Sequence, residues 1–322
     1  MSHRTRRIFR TTLAGAALLL ASSQALLAPA PTPAQPWAVL AWDTDVGRIL
    51  GQEADSEGPK SFAIKPDGGV LVLDQVNRRI LDLNANGTLA RTLALPTSTF
   101  DDVEQFEGRA VLALDRLVAK TLRVMDRNGA VLVEVALEGR GIERAGLITA
   151  LLPRPDGVWL EVQHRHSVKV LDSKLAPCER EVVLGRPIAN GRSLHAALDG
   201  HGSVTVSTSR RNARASEGGV TLTGKAPIRR IVWTDADAQG VIHAILHEAE
   251  FAAESPYHVR SERYRLIDLD DRLREVRNLE SPWVLTEYDQ RVEFRVGPDG
   301  RVWQMAFGPD GVRLIDWSRR AP

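Results

Sequence analysis

His164 and His166 stand two residues apart, and His243 and His247 stand four apart in the run VIHAILH. Even spacing puts each pair on one face of a strand. Two imidazoles on one face can ligate zinc if another segment supplies a third ligand, for which Glu248 or His195 is the candidate. The competing role is that of strand histidines at a rim or facing solvent. Asp235 and Asp237 have the alternate-acid spacing that begins a calcium loop, but Gln239 replaces the third acid and no bidentate glutamate follows. A plain turn between strands accounts for the same residues. Cys178 lies in APCE, beside an acid that disfavours the thiolate, which points to an inert thiol. Arg210, Arg211 and Arg214 form a basic cluster able to line an anion-binding edge or to sit in a solvated loop. No Gly-x-Ser-x-Gly elbow and no phosphate-cradling glycine loop is present. Trp159, Trp233, Trp283 and Trp303 fall near the ends of apolar runs, where they can pack between sheets or show at a rim.

The elements that would position these residues are short β-branched runs bounded by Gly, Pro, Asn and Asp. The clearest unit is residues 59–96, PKSFAIKPDGGVLVLDQVNRRILDLNANGTLARTLALP. It reads as four strands, at 61–64, 70–73, 79–83 and 89–93, with tight turns at PDGG and NANG. The second hairpin recurs at 122–135, 168–174 and 264–271. The Pro-Asp-Gly turn recurs at 155–157 and 298–300. A spacing of roughly 40–50 residues is that of propeller blades. The expected fold is therefore all-β, a β-propeller of six four-stranded blades at 58–96, 97–141, 142–191, 192–227, 228–283 and 284–317. Five or seven blades are the alternative counts. The sixth blade has three strands of its own, and the segment WAVLAWDTDVGRIL (37–50) closes the ring as its outer strand. The fourth blade is the weakest, since 209–219 is polar and arginine-rich without a strand pattern.

Phe62-x-Ile64-x-Pro66-Asp67-Gly68, Val72-x-Asp74 and Asn77-Arg78-Arg79-Ile80 together resemble the NHL-repeat consensus. Only this first repeat carries those signature residues; the rest match in turn placement. The resemblance implies a propeller that binds a protein, a peptide or a glycan at one face of its ring. On that expectation the loops at 97–105, 188–193 and 252–263 are the ones to examine. Related six-bladed propellers also imply an alternative from another class, a hydrolase or lyase with calcium or zinc in the central channel. His195, His243, Glu104 and Asp235 would have to assemble that site. A structural component of the cell envelope is the third reading.

The start, MSHRTRRIFRTTLAGAALLLASSQALLAPAPTPAQP, has a basic stretch, an apolar run at 13–27, then small residues and prolines. That is the pattern of a secretory signal over residues 1–34, leaving residues 35–322 as a single propeller domain in the periplasm or outside the cell. TRRIF resembles a twin-arginine motif, with Arg10-Thr11 where Leu-Lys is usual. An uncleaved membrane anchor is the competing reading. Beyond it no run approaches the ~18 apolar residues of a membrane-spanning helix. Of the 322 residues, 42 are basic and 41 acidic; removing residues 1–34 takes four arginines and leaves a net charge near −3. That balance gives no footprint for nucleic acid. One cysteine excludes an internal disulfide, which a chain of this length does not need for a core.

Overall fold

The computed structural model describes residues 36–52, 55–211, 213, 216–254, 258–282 and 288–319. The proposed signal, Arg214 and Trp283 lie outside the described residues. Those described all fall within one compact unit. They form six four-stranded antiparallel sheets, in five of which each strand pairs with the next along the chain, and one short parallel pairing of Ser56–Glu57 with Tyr288–Asp289.

Blade one consists of Ser61–Ile64, Val70–Asp74, Arg79–Leu83 and Leu89–Ala94, matching the strands read from sequence to within a residue. Blade two runs from Asp102–Phe106 to Val131–Ala136, blade three from Ile148–Arg154 to Val182–Leu184, and blade five from Ile228–Ala236 to Glu275–Pro282. The first strand of each blade is innermost, and the inner strands of blades one, two and three touch in turn, as do those of four, five and six. The outermost strands of blades one and two are largely exposed. Packing between neighbouring blades carries most of the apolar core: Phe106, Leu112 and Leu122 of blade two meet Leu151 and Leu160 of blade three. Trp159 and Trp303 are fully buried in such seams.

An aspartate opens many of the hairpins. Asp126, Asp172, Asp199, Asp237 and Asp270 each accept, through one side-chain oxygen, the backbone N–H groups two and four residues on. This is the Asx turn, in which an aspartate side chain binds backbone N–H groups a few residues on.

One expectation needs correction. Blade four begins at Arg186–Ile188, not at 192, because Gly185 at φ 72° turns the chain out of blade three. The stretch 209–219 spans the connection between two paired strands: Ser203–Arg210 runs antiparallel to Gly218–Thr223, and the described residues between them, 211, 213, 216 and 217, belong to no strand.

The ring closes as expected. Phe294–Val296, Val302–Gly308 and Gly311–Asp316 make three strands of blade six, and Ala38–Ala41 adds the fourth, Leu40 lying opposite Val312. Gly311 has φ 153°, and a Cβ there would stand 2.1 Å from the Leu40 carbonyl oxygen. Gly311→Ala is thus expected to displace the closing strand and cost about 3 kcal/mol or more, as strained backbone positions do. Urea denaturation checks this; an unchanged midpoint would show that closure does not depend on this approach.

Candidate functional site

The inner strands surround a cavity of about 610 Å³ at the end of the ring where they run into their second strands. Every blade contributes to its wall: Ile64 and Pro66; Glu104, Gln105 and Phe106; Leu151 to Asp156; Ile188 and Arg211; Trp233, Asp235 and Asp237; Arg295 and Val296. Most of the wall is apolar, with charged groups set into it.

Those charged groups are anchored across the axis. Arg295 leaves blade six and donates to the Phe62 carbonyl of blade one at 3.0 Å. It also pairs with Asp102 at 2.5 Å and Glu104 at 3.0 Å, both in blade two. Ser61 donates to the same Asp102 at 2.6 Å. Arg186 of blade four binds Glu161 of blade three at 2.9 Å and the Thr234 carbonyl of blade five. Arg154 of blade three donates to the Pro187 carbonyl at 2.7 Å and to Asp235 at 2.6 Å. Trp233 lies between the arginines of its two neighbouring blades, with Arg186 4.3 Å and Arg295 5.0 Å from its ring. Toward the other end, Arg291 reaches the Ile148 carbonyl at 3.0 Å and faces Asp101 at 3.4 Å.

These pairings set the ionisation of the buried acids. Burial pushes Glu104 up to about 7, with Arg295 opposing and Asp102 and Asp235 assisting the rise. Burial likewise raises Glu293 to about 7 and Asp101 to about 6. For Glu161, burial is overcome by Arg186 and His164, which hold the carboxylate well below its usual range.

The residues singled out from sequence separate into two groups. Glu104, Asp235 and Arg211 line the cavity, Arg211 held by Asp156 at 2.7 Å. His243 is behind the wall, its ring nitrogens 2.7 Å from Asp268 and 3.3 Å from Asp237. Burial disfavours its charge, yet the two aspartates push it up to about 9. His195 is turned to Ser209 in blade four, and Arg210 is exposed beside Glu217. The four residues required for a metal site are therefore not brought together, and His243 has no nitrogen to spare. Among the described residues no three His, Cys, Asp or Glu form a metal-ligand group. His164 and His166 are likewise engaged, by Glu161 and the Gly141 carbonyl. Asp235 and Asp237 serve Arg154 and a turn, and burial raises the Cys178 thiol. Of the loops expected to matter, the start of 188–193 and the end of 97–105 reach the cavity; the described part of 252–263 does not. Trp233, one of the tryptophans expected to pack between sheets or show at a rim, stands in the cavity wall; Arg295, Arg186 and Arg154 escaped the sequence reading of the site, although an arginine inside an inner strand is a usable signal.

No protein-family model matches the chain, and no curated protein sequence matches it. Solved structures share the fold. Hydrazine synthase of Kuenenia stuttgartiensis aligns over 84% of this chain and 80% of its own, with 10% identity and TM-score 0.53. A DUF4221 member from Bacteroides vulgatus covers 84% and 94%, at 10% identity and TM-score 0.47. BamB of Moraxella catarrhalis covers 88% and 99%, at 11% identity and TM-score 0.39. At these identities the similarity concerns fold alone, and only the first exceeds a TM-score of 0.5.

The ionisable groups give a pH profile. Glu104, Glu293 and Asp101 keep protons in the folded state that the unfolded chain releases near pH 4, so stability falls as pH rises from there to about 7. His243, raised from 6.5 to about 9, stabilises fully below 6.5 and loses that contribution toward 9. The depressed Glu161 contributes only above its unfolded value. Thermal stability is expected to peak near pH 5 and to decline through pH 9. Glu104→Gln should flatten the limb from pH 5 to 7 and raise Tm at pH 8. Melting curves across this range decide it, and a Tm climbing from pH 5 to 8 would refute the assignment.

Proposed function

We propose that this protein is an exported binding module that takes a peptide segment of a partner into the cavity at the ring's axis. The observation that carries this reading is the cavity itself, of about 610 Å³, walled by all six blades. Its size lies in the range of ligand sites, and its mainly apolar wall with few polar groups is the usual composition. The charged side chains there are already paired, so little ordering remains to oppose association.

A peptide suits the wall better than a glycan. Sugars stack on open aromatic faces, whereas Trp233 is flanked by two guanidinium groups and Trp159 and Trp303 are buried in seams. A hydrolase or lyase reading lacks its assembled residues, as His195 and His243 point elsewhere. Export rests on the signal-like pattern at 1–34, and NHL kinship rests on the motif of blade one. No described helix is long and apolar enough to cross a membrane.

Ala189 is exposed at the cavity's edge, so Ala189→Trp fills space without disturbing the core. The purified protein is expected to retain members of a random tetrapeptide pool. Ala189→Trp should reduce retention at least tenfold, about 1.4 kcal/mol, with Tm unchanged. Equal retention by both proteins would place binding elsewhere.

A further inference from the structure

Each charged side chain lining the cavity has a partner of opposite charge. Arg154 meets Asp235 at 2.6 Å, and Arg211 meets Asp156 at 2.7 Å. Arg295 meets Glu104 at 3.0 Å, and His243 stands 3.3 Å from Asp237. Glu107, at the mouth, pairs with Arg109 at 3.3 Å. Gln105 Oε1, Trp233 Nε1 and Arg211 Nε are without hydrogen-bond partners, and Arg295 Nη1 has its ion pair alone. Those four atoms are buried beneath the wall, so an entering molecule does not touch them.

The mouth has the same character. The first turn of each blade sets one exposed residue there: Pro66, Glu107, Pro155, Ala189, Ala238 and Pro298. Five of the six carry no charge, and the prolines fix their own φ, so the opening keeps its shape. The far end is crossed by side chains. Arg295 runs from blade six to the Phe62 carbonyl of blade one and to Asp102 of blade two. Arg291 spans the axis to the Ile148 carbonyl of blade three, the blade opposite in the ring.

A chain that enters such a pit must either end in it or turn back through the mouth. An end brings an ammonium or a carboxylate, and the wall has no unanswered charge to receive either. A charge left unpaired in an enclosed, mainly apolar space is strongly disfavoured. An extended segment brings backbone N–H and C=O groups, which need partners once buried. A tight turn meets both conditions: it bonds its first carbonyl to the N–H three residues on, and it carries no terminal charge. We infer that the cavity receives the tip of a partner's loop, a tight turn bearing uncharged apolar side chains, and excludes chain ends and charged side chains. The inference rests on the peptide-binding reading above and specifies which part of the partner enters. The side chains of the tip meet Ile64, Ile188 and Val296. Contact between neutral surfaces leaves salt no charge to screen, so added salt does not weaken it.

The test uses the purified protein and four peptide pools: cyclic hexapeptides of uncharged apolar residues, the same sequences linear with both ends capped, the same linear with free ends, and cyclic hexapeptides carrying one lysine or one aspartate. The uncharged cyclic pool should be retained at least tenfold more than any other, at low and high salt alike. Ala238 is exposed at the mouth, so Ala238→Arg adds an unanswered charge without disturbing the core. That variant should raise retention of the aspartate-bearing rings at least fivefold with Tm unchanged. Equal retention of charged and uncharged rings, or retention lost in high salt, would overturn the inference. Capped linear peptides retained as well as rings would show an extended segment entering, and free-ended ones a chain end; either result overturns it too. Equal retention of all pools, abolished by Ala189→Trp, would leave the peptide-binding reading standing and the loop-tip assignment refuted. Retention of none would refute both.

Discussion

The innermost strand of each blade has no neighbour on its axial side, so some of its carbonyls face the channel without a strand to pair with. Buried carbonyls must find donors. Here arginines supply them: Arg295 to Phe62, Arg186 to Thr234, Arg154 to Pro187 and Arg291 to Ile148. A guanidinium suits the task because it carries five donors and no acceptor, enough to serve a carbonyl and a carboxylate together. Each of these arginines also faces a buried acid, in Asp102, Glu161, Asp235 or Asp101. The polar layer that results crosses the axis and leaves the cavity above it.

A buried ion pair is weak evidence for stability, because desolvation offsets the attraction, yet removing one partner costs roughly 3–5 kcal/mol. The axial layer therefore specifies arrangement more than it adds net free energy. Arg295 joins blade six to blades one and two and stacks near blade five, so a ring with a blade displaced would leave its charge unanswered. The apolar seams lack that discrimination: leucines and valines of blades two and three pack much as those of blades four and five do.

The propeller was legible in sequence because its determinants are local. The turns at Asp126, Asp172 and Asp270 depend on residues within four positions, and hairpin strands depend on their own alternation. The start of blade four was misplaced for the same reason: Arg186–Ile188 is three residues long, and only the Gly185 turn separates it from blade three. The site was less legible. Arg295 and Asp102 are 193 residues apart, and no periodicity connects them. Glu104 and Asp235 were singled out as metal ligands, whereas each in fact answers an arginine from another blade. His243 drew notice as a ligand, but its two aspartates make it an imidazolium that braces the wall.

Repeat regularity and axial chemistry oppose one another in this ring. Six identical blades would place six like residues around one narrow axis, and like charges at such separations repel strongly where water is excluded. Complementary pairs require that blades differ at their inner positions, arginine in some and acid in others. Blade one, the most regular repeat, gives the cavity Ile64 and Pro66 and no charged side chain. Blades two, three, five and six, where the signature has faded, supply Glu104, Arg154, Asp235 and Arg295. The degeneracy that weakens the repeat in sequence is thus a condition for a charged but neutralised axis. It also makes the cavity asymmetric, so that a single orientation of a ligand can be preferred.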